Sequence, residues 1–222
     1  MKRFVSMEEI SDGRLYGIND MVKADCHDCV GCHKCCHDMV KTIILYPLDA
    51  HHLAVGTGKS FPELLEREVE LNVVNGMVLP NLKMTEEGNC CAFLDGQGRC
   101  SIHRYRPDLC RLFPLGRYYE NGDFRYFLQV GQCDHPHTKV KVSKWIDTPD
   151  YSKNKAYILR WHDLLDQVEE ILNTSDDDVL KKNLNLAMLN MFYMTPYDGG
   201  ADFYEQFAAR AEKIEAVLKG EE

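Results

Sequence analysis

The distribution of cysteine constrains this sequence more than any other feature. Ten cysteines occur among 222 residues, and none of them follows position 133. They form two sets, which are Cys26, Cys29, Cys32, Cys35 and Cys36, and then Cys90, Cys91, Cys100, Cys110 and Cys133. Disulfides are rare in reducing compartments, so clustered thiols favour metal ligation or redox chemistry. The sequence therefore predicts a metal ion or metal cluster bound by thiolates.

Composition and charge indicate which partners and which cellular compartment to expect. Hydrophobic residues make up 45% of the chain and charged residues 27%, which is typical of a soluble globular protein. The net charge of -9 disfavours nucleic-acid binding, because nucleic-acid binders usually carry a basic patch. No uncharged run reaches the roughly 18 residues that span a bilayer, and acidic residues interrupt the N-terminus before any signal-peptide core. We expect a cytoplasmic protein with no nucleic-acid or membrane partner; a protein partner stays open.

Turn and cap residues predict short, mixed elements before residue 146. Asn75-Gly76 and Asn121-Gly122 each predict a hairpin, and a third tight turn is expected near Asp95-Gly96. Ser60 with Glu63 and Pro62 predicts a helix over about 61–72. Another helix is expected from Leu48 to Ala54, with its end near Gly56.

Apolar residues recur three and four positions apart after residue 150, which predicts three amphipathic helices. They are expected at 157–172, from Ser175 onward, and from about 201 to Gly220. The predicted fold class is α+β. An irregular cysteine-rich metal-binding domain with short hairpins covers 1–146, and a helical C-terminal region, 147–222, packs on it.

The first cysteine set has the spacing of a metal-binding loop. Cys26, Cys29, Cys32 and Cys36 follow the C-x2-C-x2-C-x3-C spacing of bacterial ferredoxins, although His37 replaces the proline that ends that run. Zinc would accept any four thiols, or three thiols and one of the neighbouring histidines. Those histidines are His27, His33 and His37. A structural disulfide and a free redox pair, Cys32 with Cys35, are the weaker alternatives.

The second set is surrounded by arginine. Two turns can bring Cys91, Cys100 and Cys110 together, and Cys133 can supply a fourth thiolate. Residues 99–117 contain five arginines and no lysine. Guanidinium groups donate hydrogen bonds while balancing the negative charge of a thiolate site. We expect Arg106 or Arg111, which flank Cys110, to contact the cofactor, and Arg117 to face solvent.

Several motifs occur in the order seen in a known family. They are Cys29-x2-Cys32-x2-Cys35-Cys36, Cys91-Ala-Phe-Leu, Gly98-Arg-Cys100-Ser-Ile, and Arg106-Pro-x2-Cys110-Arg-x-Phe113-Pro114. Together they resemble the YkgJ-type cysteine-cluster family, which is described as zinc- or iron-chelating. Flagellin lysine N-methylase proteins carry a similar cysteine pattern. The resemblance covers about residues 25 to 135 and leaves out the predicted C-terminal helices.

The resemblance implies metal or iron–sulfur binding by the matching cysteines. These are Cys29, Cys32, Cys35, Cys36, Cys91, Cys100 and Cys110, with Cys133 as an eighth. Cys26 and Cys90 are additional to the usual pattern, so the choice of ligands in the first set stays open. The number of cysteines, the arginines and the ferredoxin-like spacing favour an iron–sulfur cluster of the 4Fe-4S type, with zinc as the alternative.

Three functions remain open from the sequence. The first is a metal- or cluster-binding protein, with redox activity as one role. The second is a protein-lysine methyltransferase that uses S-adenosylmethionine, for which no glycine-rich nucleotide cradle is visible. The third is a zinc-stabilised interaction module, which an exposed apolar helix face would favour. Asp38, Asp49, His51 and His52 are the polar candidates near the first set, and we expect them to be surface residues.

Overall fold

Short sheets and turns occupy the beginning of the chain, and long helices occupy its end. The computed structural model describes residues 6–25, 33–39, 41–85, 89–132 and 138–220. The helices are Met7–Ile10 (α1), Pro47–Thr57 (α2), Phe61–Arg67 (α3), Asp108–Leu112 (α4), Val142–Ile146 (α5), Tyr151–Thr174 (α6), Asp178–Leu189 (α7) and Phe203–Leu218 (α8). The strands are Met21–Asp25 (β1), Val69–Val74 (β2), Met77–Leu82 (β3), Leu115–Glu120 (β4), Asp123–Leu128 (β5) and Thr138–Lys141 (β6). The predicted α+β class is confirmed.

The described strands form separate two-stranded antiparallel sheets, which pair β1 with β6, β2 with β3, and β4 with β5. Both predicted Asn-Gly hairpins are present. Asn75 and Gly76 have φ of 50° and 79°, and Asn121 and Gly122 have φ of 53° and 71°. Positive φ at both central residues is what a type I′ turn requires, and asparagine followed by glycine meets that requirement.

Two helix boundaries before residue 146 differ from the prediction. The helix expected to reach residue 72 ends at Arg67, because β2 begins at Val69 and pairs with β3. Helix α2 continues through Gly56 and ends with Gly58 in the left-handed conformation, at φ 70°. Gly56 instead allows close packing, since a Cβ there would lie 2.5 Å from the ring of Tyr105.

The three predicted C-terminal helices are present as α6, α7 and α8. The second begins at Asp178 rather than Ser175, because Asp177 is its N-cap. The Asp177 carboxylate accepts hydrogen bonds from the backbone N–H groups of Val179 and Leu180, at 2.8 and 3.0 Å. A π-helical turn, Asn190–Met194, follows α7. None of the described helices combines the length and apolar character needed to cross a membrane.

Buried residues from both ends of the chain pack in one hydrophobic cluster. The C-terminal helices also make hydrogen bonds to earlier elements. The Tyr157 hydroxyl accepts from the N–H of Leu48 at 3.0 Å, and the Tyr193 hydroxyl donates to the carbonyl of Leu45 at 2.9 Å. These contacts hold α2 against α6 and the π turn. The division of the chain into domains at 146/147 stays a prediction.

Candidate metal centre

Backbone hydrogen bonds bring the two cysteine sets side by side. Cys35 and Cys36 lie in a 3₁₀ turn, Lys34–Cys36. The N–H of Cys91 donates to the carbonyl of Cys36 at 2.7 Å, and His37 forms an isolated antiparallel bridge with Cys90. Residues more than fifty positions apart are thus joined at the level of the main chain.

The third tight turn carries Cys100 to the same place. Leu94 and Cys100 form an isolated antiparallel bridge, and the N–H of Ser101 donates to the carbonyl of Phe93 at 2.9 Å. The Asp95 side chain accepts from the N–H groups of Gln97 and Arg99 at 2.9 and 2.8 Å, which closes the turn. Cys100 therefore lies beside the segment that contains Cys91.

Cys110 enters the site on the short helix α4. Asp49, which is only 2% exposed, accepts a hydrogen bond from the N–H of Asp108 at 2.8 Å and from the N–H of Tyr46 at 2.8 Å. The Asp108 carboxylate in turn accepts two hydrogen bonds from the Arg117 guanidinium, one of them at 2.8 Å. These contacts fix the first residue of α4 and hence the position of Cys110.

The pKa values of the thiols show that the two sets affect one another. A hydrogen bond from Cys36 lowers the pKa of Cys35 to about 7, and the positive charge of Arg106 acts in the same direction. The pKa of Cys36 is raised by the same hydrogen bond, then by burial and by the charges of Cys35, Cys91 and Cys100.

Burial is the main cause of the raised pKa values in the second cysteine set. It raises the pKa of Cys91 to about 11, and raises that of Cys100 as well. The pKa of Cys110 is raised well above its usual value by burial, and further by the charges of Cys91 and Cys35. Thiols in this environment stay protonated unless a positive charge compensates them, and a bound metal ion supplies that charge.

Two polar atoms near the thiols lack a hydrogen-bond partner among the described residues. They are Nε2 of His37 and Nε of Arg106, and both are buried. A buried polar atom without a partner costs free energy, so each is expected to find one when the site is complete. A donor set of soft thiolates, with an imidazole nitrogen beside it, suits zinc or an iron–sulfur cluster.

Arg106 and Arg111 have different surroundings. The charge of Arg106 lowers the pKa of both Cys35 and Cys100. Arg111 instead donates to the carbonyls of Asp147 and Arg104, at 3.2 and 3.0 Å. Of the two arginines predicted to contact the cofactor, Arg106 is the one whose charge acts on the thiols.

Cys90 differs from its neighbour Cys91. Its sulfur lies 3.1 Å from the Thr85 hydroxyl, and its charge raises the pKa of Cys91. Cys26, Cys29, Cys32 and Cys133 lie outside the described residues, as does His27. Within the described ranges, which omit those four cysteines, no group of three or more His, Cys, Asp or Glu residues has metal-binding geometry.

Two expectations about polar residues were wrong. Arg117 was expected to face solvent, but its side chain is only 5% exposed because Asp108 neutralises its charge. Asp49 was expected at the surface, but it is buried where α2 meets α4. The pKa of Asp49 is raised to about 7, first by burial and then by the charge of Asp108. The local sequence signal that could have identified this residue is Pro47 at the helix start with an acidic residue in the first turn, where Asp49 accepts from the N–H of Tyr46.

Comparison with family models gives one result that bears on this site. Residues 28–134 match a family named CxxCxxCC, whose description reads "Putative zinc- or iron-chelating domain". The matched range contains nine of the ten cysteines, from Cys29 to Cys133, and among them are all eight that the sequence resemblance implied as ligands. A search of curated proteins found no match, and neither did a search of solved structures.

Proposed function

Residues 28–134 belong to the CxxCxxCC family, and from that premise we propose that thiolates of both cysteine sets bind one shared metal centre. The observation that carries this proposal is the hydrogen bond from the N–H of Cys91 to the carbonyl of Cys36, at 2.7 Å. This bond holds the main chains of the two stretches next to each other, which supports one shared centre rather than two independent sites. The described candidates for ligation are Cys35, Cys36, Cys91, Cys100 and Cys110.

The remaining cysteines have different roles in the proposal. Cys29, Cys32 and Cys133 are the further ligands that the family pattern predicts, and Cys26 is a spare thiol near them. Cys90 is proposed as a non-ligand, because its sulfur already has the Thr85 hydroxyl as a partner. Arg106 balances the charge of the thiolates, since its guanidinium already acts on Cys35 and Cys100.

For the bound group, we favour a 4Fe-4S cluster over zinc. The supporting features are the number of cysteines, the ferredoxin-like spacing and the arginine beside the thiols. Such a cluster supplies one-electron transfer, whereas zinc would supply a structural cross-link. Methyltransferase activity, the alternative from the sequence, stays a prediction.

The test is metal analysis of protein purified without oxygen. We expect a brown protein that contains iron and sulfide, absorbs near about 400 nm and bleaches with dithionite. A colourless protein with stoichiometric zinc would show that the choice of iron is wrong and would leave the ligands unchanged.

Substitutions test whether the centre is shared. Cys36→Ser and Cys91→Ser should each remove the same metal, and Cys90→Ser is the matched control that should retain it. If Cys36→Ser and Cys91→Ser each removed half of the metal and the double variant removed all of it, two separate sites would be present. That result would overturn the shared centre.

A second candidate function, the interaction module, is favoured by one observation on α7. Val179, Leu180 and Leu186 are 68%, 44% and 46% exposed. Val179 and Leu186 are seven positions apart and so lie on the same helix face. Analytical ultracentrifugation tests for self-association through this face: wild-type protein should form dimers that Leu186→Glu abolishes, and a wild-type monomer would count against it.

A further inference from the structure

A cavity of about 240 Å³ lies between the cysteine-rich part of the chain and the C-terminal helices. Its walls come from α2, the segment around α4, the loop before α6, and helices α6 and α8. The residues that matter here are Asp49, His52, Arg106, Arg111, Tyr157 and Phe203. The volume falls just below the range of roughly 300–1,000 Å³ for drug-sized ligands, so the cavity suits a smaller molecule.

Two arginines on this wall lack a carboxylate partner. Among the described residues, neither Arg106 nor Arg111 forms an ion pair with an aspartate or glutamate, although acidic residues outnumber basic ones by 35 to 26 in the whole chain. Arg111 donates to backbone carbonyls, and Arg106 donates from Nη1 to Nε2 of His103 at 2.8 Å. The Nε–H of Arg106 is buried and has no acceptor in the described chain.

The two guanidinium groups also act on each other. Both line the same cavity, and neither has an ion pair with a carboxylate among the described residues. Two like charges at a half-buried site are unfavourable unless an anion lies between or beside them. The cavity that both residues line is the space in which such an anion fits.

Two acidic residues of the same wall already have ion-pair or hydrogen-bond partners. Asp108 is paired with Arg117, and Asp49 accepts from the N–H groups of Tyr46 and Asp108. Asp150, a third carboxylate of the lining, is exposed to solvent. None of these carboxylates forms an ion pair with Arg106 or Arg111, although the charges of Asp49 and Asp108 also act on Arg111.

His52 adds a neutral polar group to this wall. Burial lowers the pKa of His52 to about 4, so its ring is uncharged at neutral pH. A neutral imidazole keeps one N–H donor, and His52 is among the residues that line the cavity. Tyr157 and Phe203, which pack edge to face at 5.5 Å, give the cavity an aromatic side.

We propose that this cavity binds a small oxyanion, a carboxylate or a phosphate, through the guanidinium groups of Arg106 and Arg111 and the imidazole N–H of His52. Guanidinium groups pair with both kinds of oxyanion in the same planar, two-bond geometry. The aromatic side then contacts the apolar part of a carboxylate ligand. The site rests on the proposed metal centre only through Arg106, whose charge also acts on Cys35 and Cys100, and it does not depend on whether the thiols hold iron or zinc.

The experiment is a calorimetric titration of the metal-loaded protein, at constant ionic strength, with inorganic phosphate and separately with acetate. Saturable one-to-one binding of at least one of them is expected, and comparing the two identifies the favoured oxyanion. Arg111→Gln should weaken that binding about tenfold or more, which is the usual effect of losing a charged hydrogen bond. The matched control is Arg104→Gln, whose exposed side chain lies over the Tyr105 ring and outside the cavity lining; it should bind like wild type.

Two measurements separate this site from the metal centre. Metal content is determined for every variant, and Arg111→Gln should keep its metal while losing the anion. Phenylglyoxal labelling of wild-type protein, mapped by mass spectrometry, should be slowed by the bound anion at Arg106 and Arg111 and unchanged at Arg104. Absence of saturable binding of both phosphate and acetate, or equal weakening by Arg104→Gln, would overturn the proposal.

Discussion

The cysteine-rich part of the chain and its helical C-terminus are stabilised in different ways. In the described residues before 147, the longest helix is α2, with 11 residues, and each sheet has two strands. After residue 150, helices α6, α7 and α8 have 24, 12 and 16 residues. Isolated hairpins and one-turn helices are marginal in water, whereas long amphipathic helices bury a continuous apolar face.

Aromatic packing stabilises the helical region. Trp161 and Phe192 pack edge to face at 4.9 Å, and both are at most 1% exposed. Phe207 lies 5.6 Å from Phe192 and Tyr157 lies 4.6 Å from Phe207. These side chains bury large apolar areas without needing a metal.

The cysteine-rich part contributes apolar residues to the same core and also buries polar and titratable groups. Asp49, the Asp108–Arg117 ion pair and the thiols lie close together around α4. Such groups are costly to bury unless every charge has a partner. The comparison teaches that both regions share one hydrophobic core, whereas the cysteine-rich part also buries groups that need polar partners, among which we propose a metal.

Removal of the metal should give the largest difference between the two regions. Chelation is expected to abolish hydrogen-exchange protection in residues 33–132 while α6 and α8 stay protected. Structural metals contribute about 10–16 kcal/mol in small zinc domains, far more than any single contact. Hydrogen exchange with mass spectrometry, before and after chelation, provides the measurement. Equal loss of protection in both regions would show that they depend on the metal alike.

Trp161→Ala should produce the opposite pattern. Truncation of this fully buried side chain, 1% exposed, is expected to cost about 3–5 kcal/mol in the free energy of unfolding. Metal content at low temperature should be unchanged, because the residue belongs to the aromatic core. Val179→Ala, at a position 68% exposed, is the control and should change stability by less than about 0.5 kcal/mol. Denaturant unfolding and metal analysis measure the two effects, and metal loss in the Trp161 variant would contradict the separation.

Arg117→Gln tests how much the buried ion pair with Asp108, the first residue of α4, contributes to stability. The variant leaves Asp108 without its charged partner in a site where the side chains are 5% and 15% exposed, so a loss of about 3 kcal/mol is expected. Arg125→Gln on the same hairpin is the matched control. Its pair with Glu120, at 3.6 Å, is about half exposed and should contribute less than about 1 kcal/mol. Similar losses in urea unfolding would mean that burial of the Arg117 pair is unimportant.

The contribution of His52 to the pH dependence of the unfolding free energy should be the smallest of these effects. Its pKa of about 4 in the folded protein lies below the unfolded value of 6.5, so the unfolded chain takes up the proton first. The resulting stability is complete above about pH 6.5 and is lost as the pH falls toward 4. Between pH 7 and pH 5 the free energy of unfolding is expected to fall by about 2 kcal/mol because of this shift. His52→Gln should flatten the stability profile by that amount in phosphate-free buffer, and an unchanged profile would contradict the shift.

Much of the fold could be predicted where the determining interactions are local. The Asn-Gly turns, the apolar periodicity of α6 and the capping box of α3 depend on residues within a few positions of each other. The predicted end of α3 was wrong because pairing of β2 with β3 competes with the helix. Arg117 was misjudged for a similar reason, since its partner Asp108 is brought to it by the turn before β4.

The sequence by itself determined the element types, the cysteine sets and the match of residues 28–134 to a family of zinc- or iron-chelating domains, because periodicity, turn chemistry and motif spacing are local properties. Only the tertiary structure decided that Cys36 and Cys91 share a backbone hydrogen bond and that Asp49 is buried. It also decided that Arg106 and Arg111 line one cavity with helices α6 and α8. The physical reason is that these contacts join residues many tens of positions apart, and no local pattern specifies which distant group will compensate a buried charge.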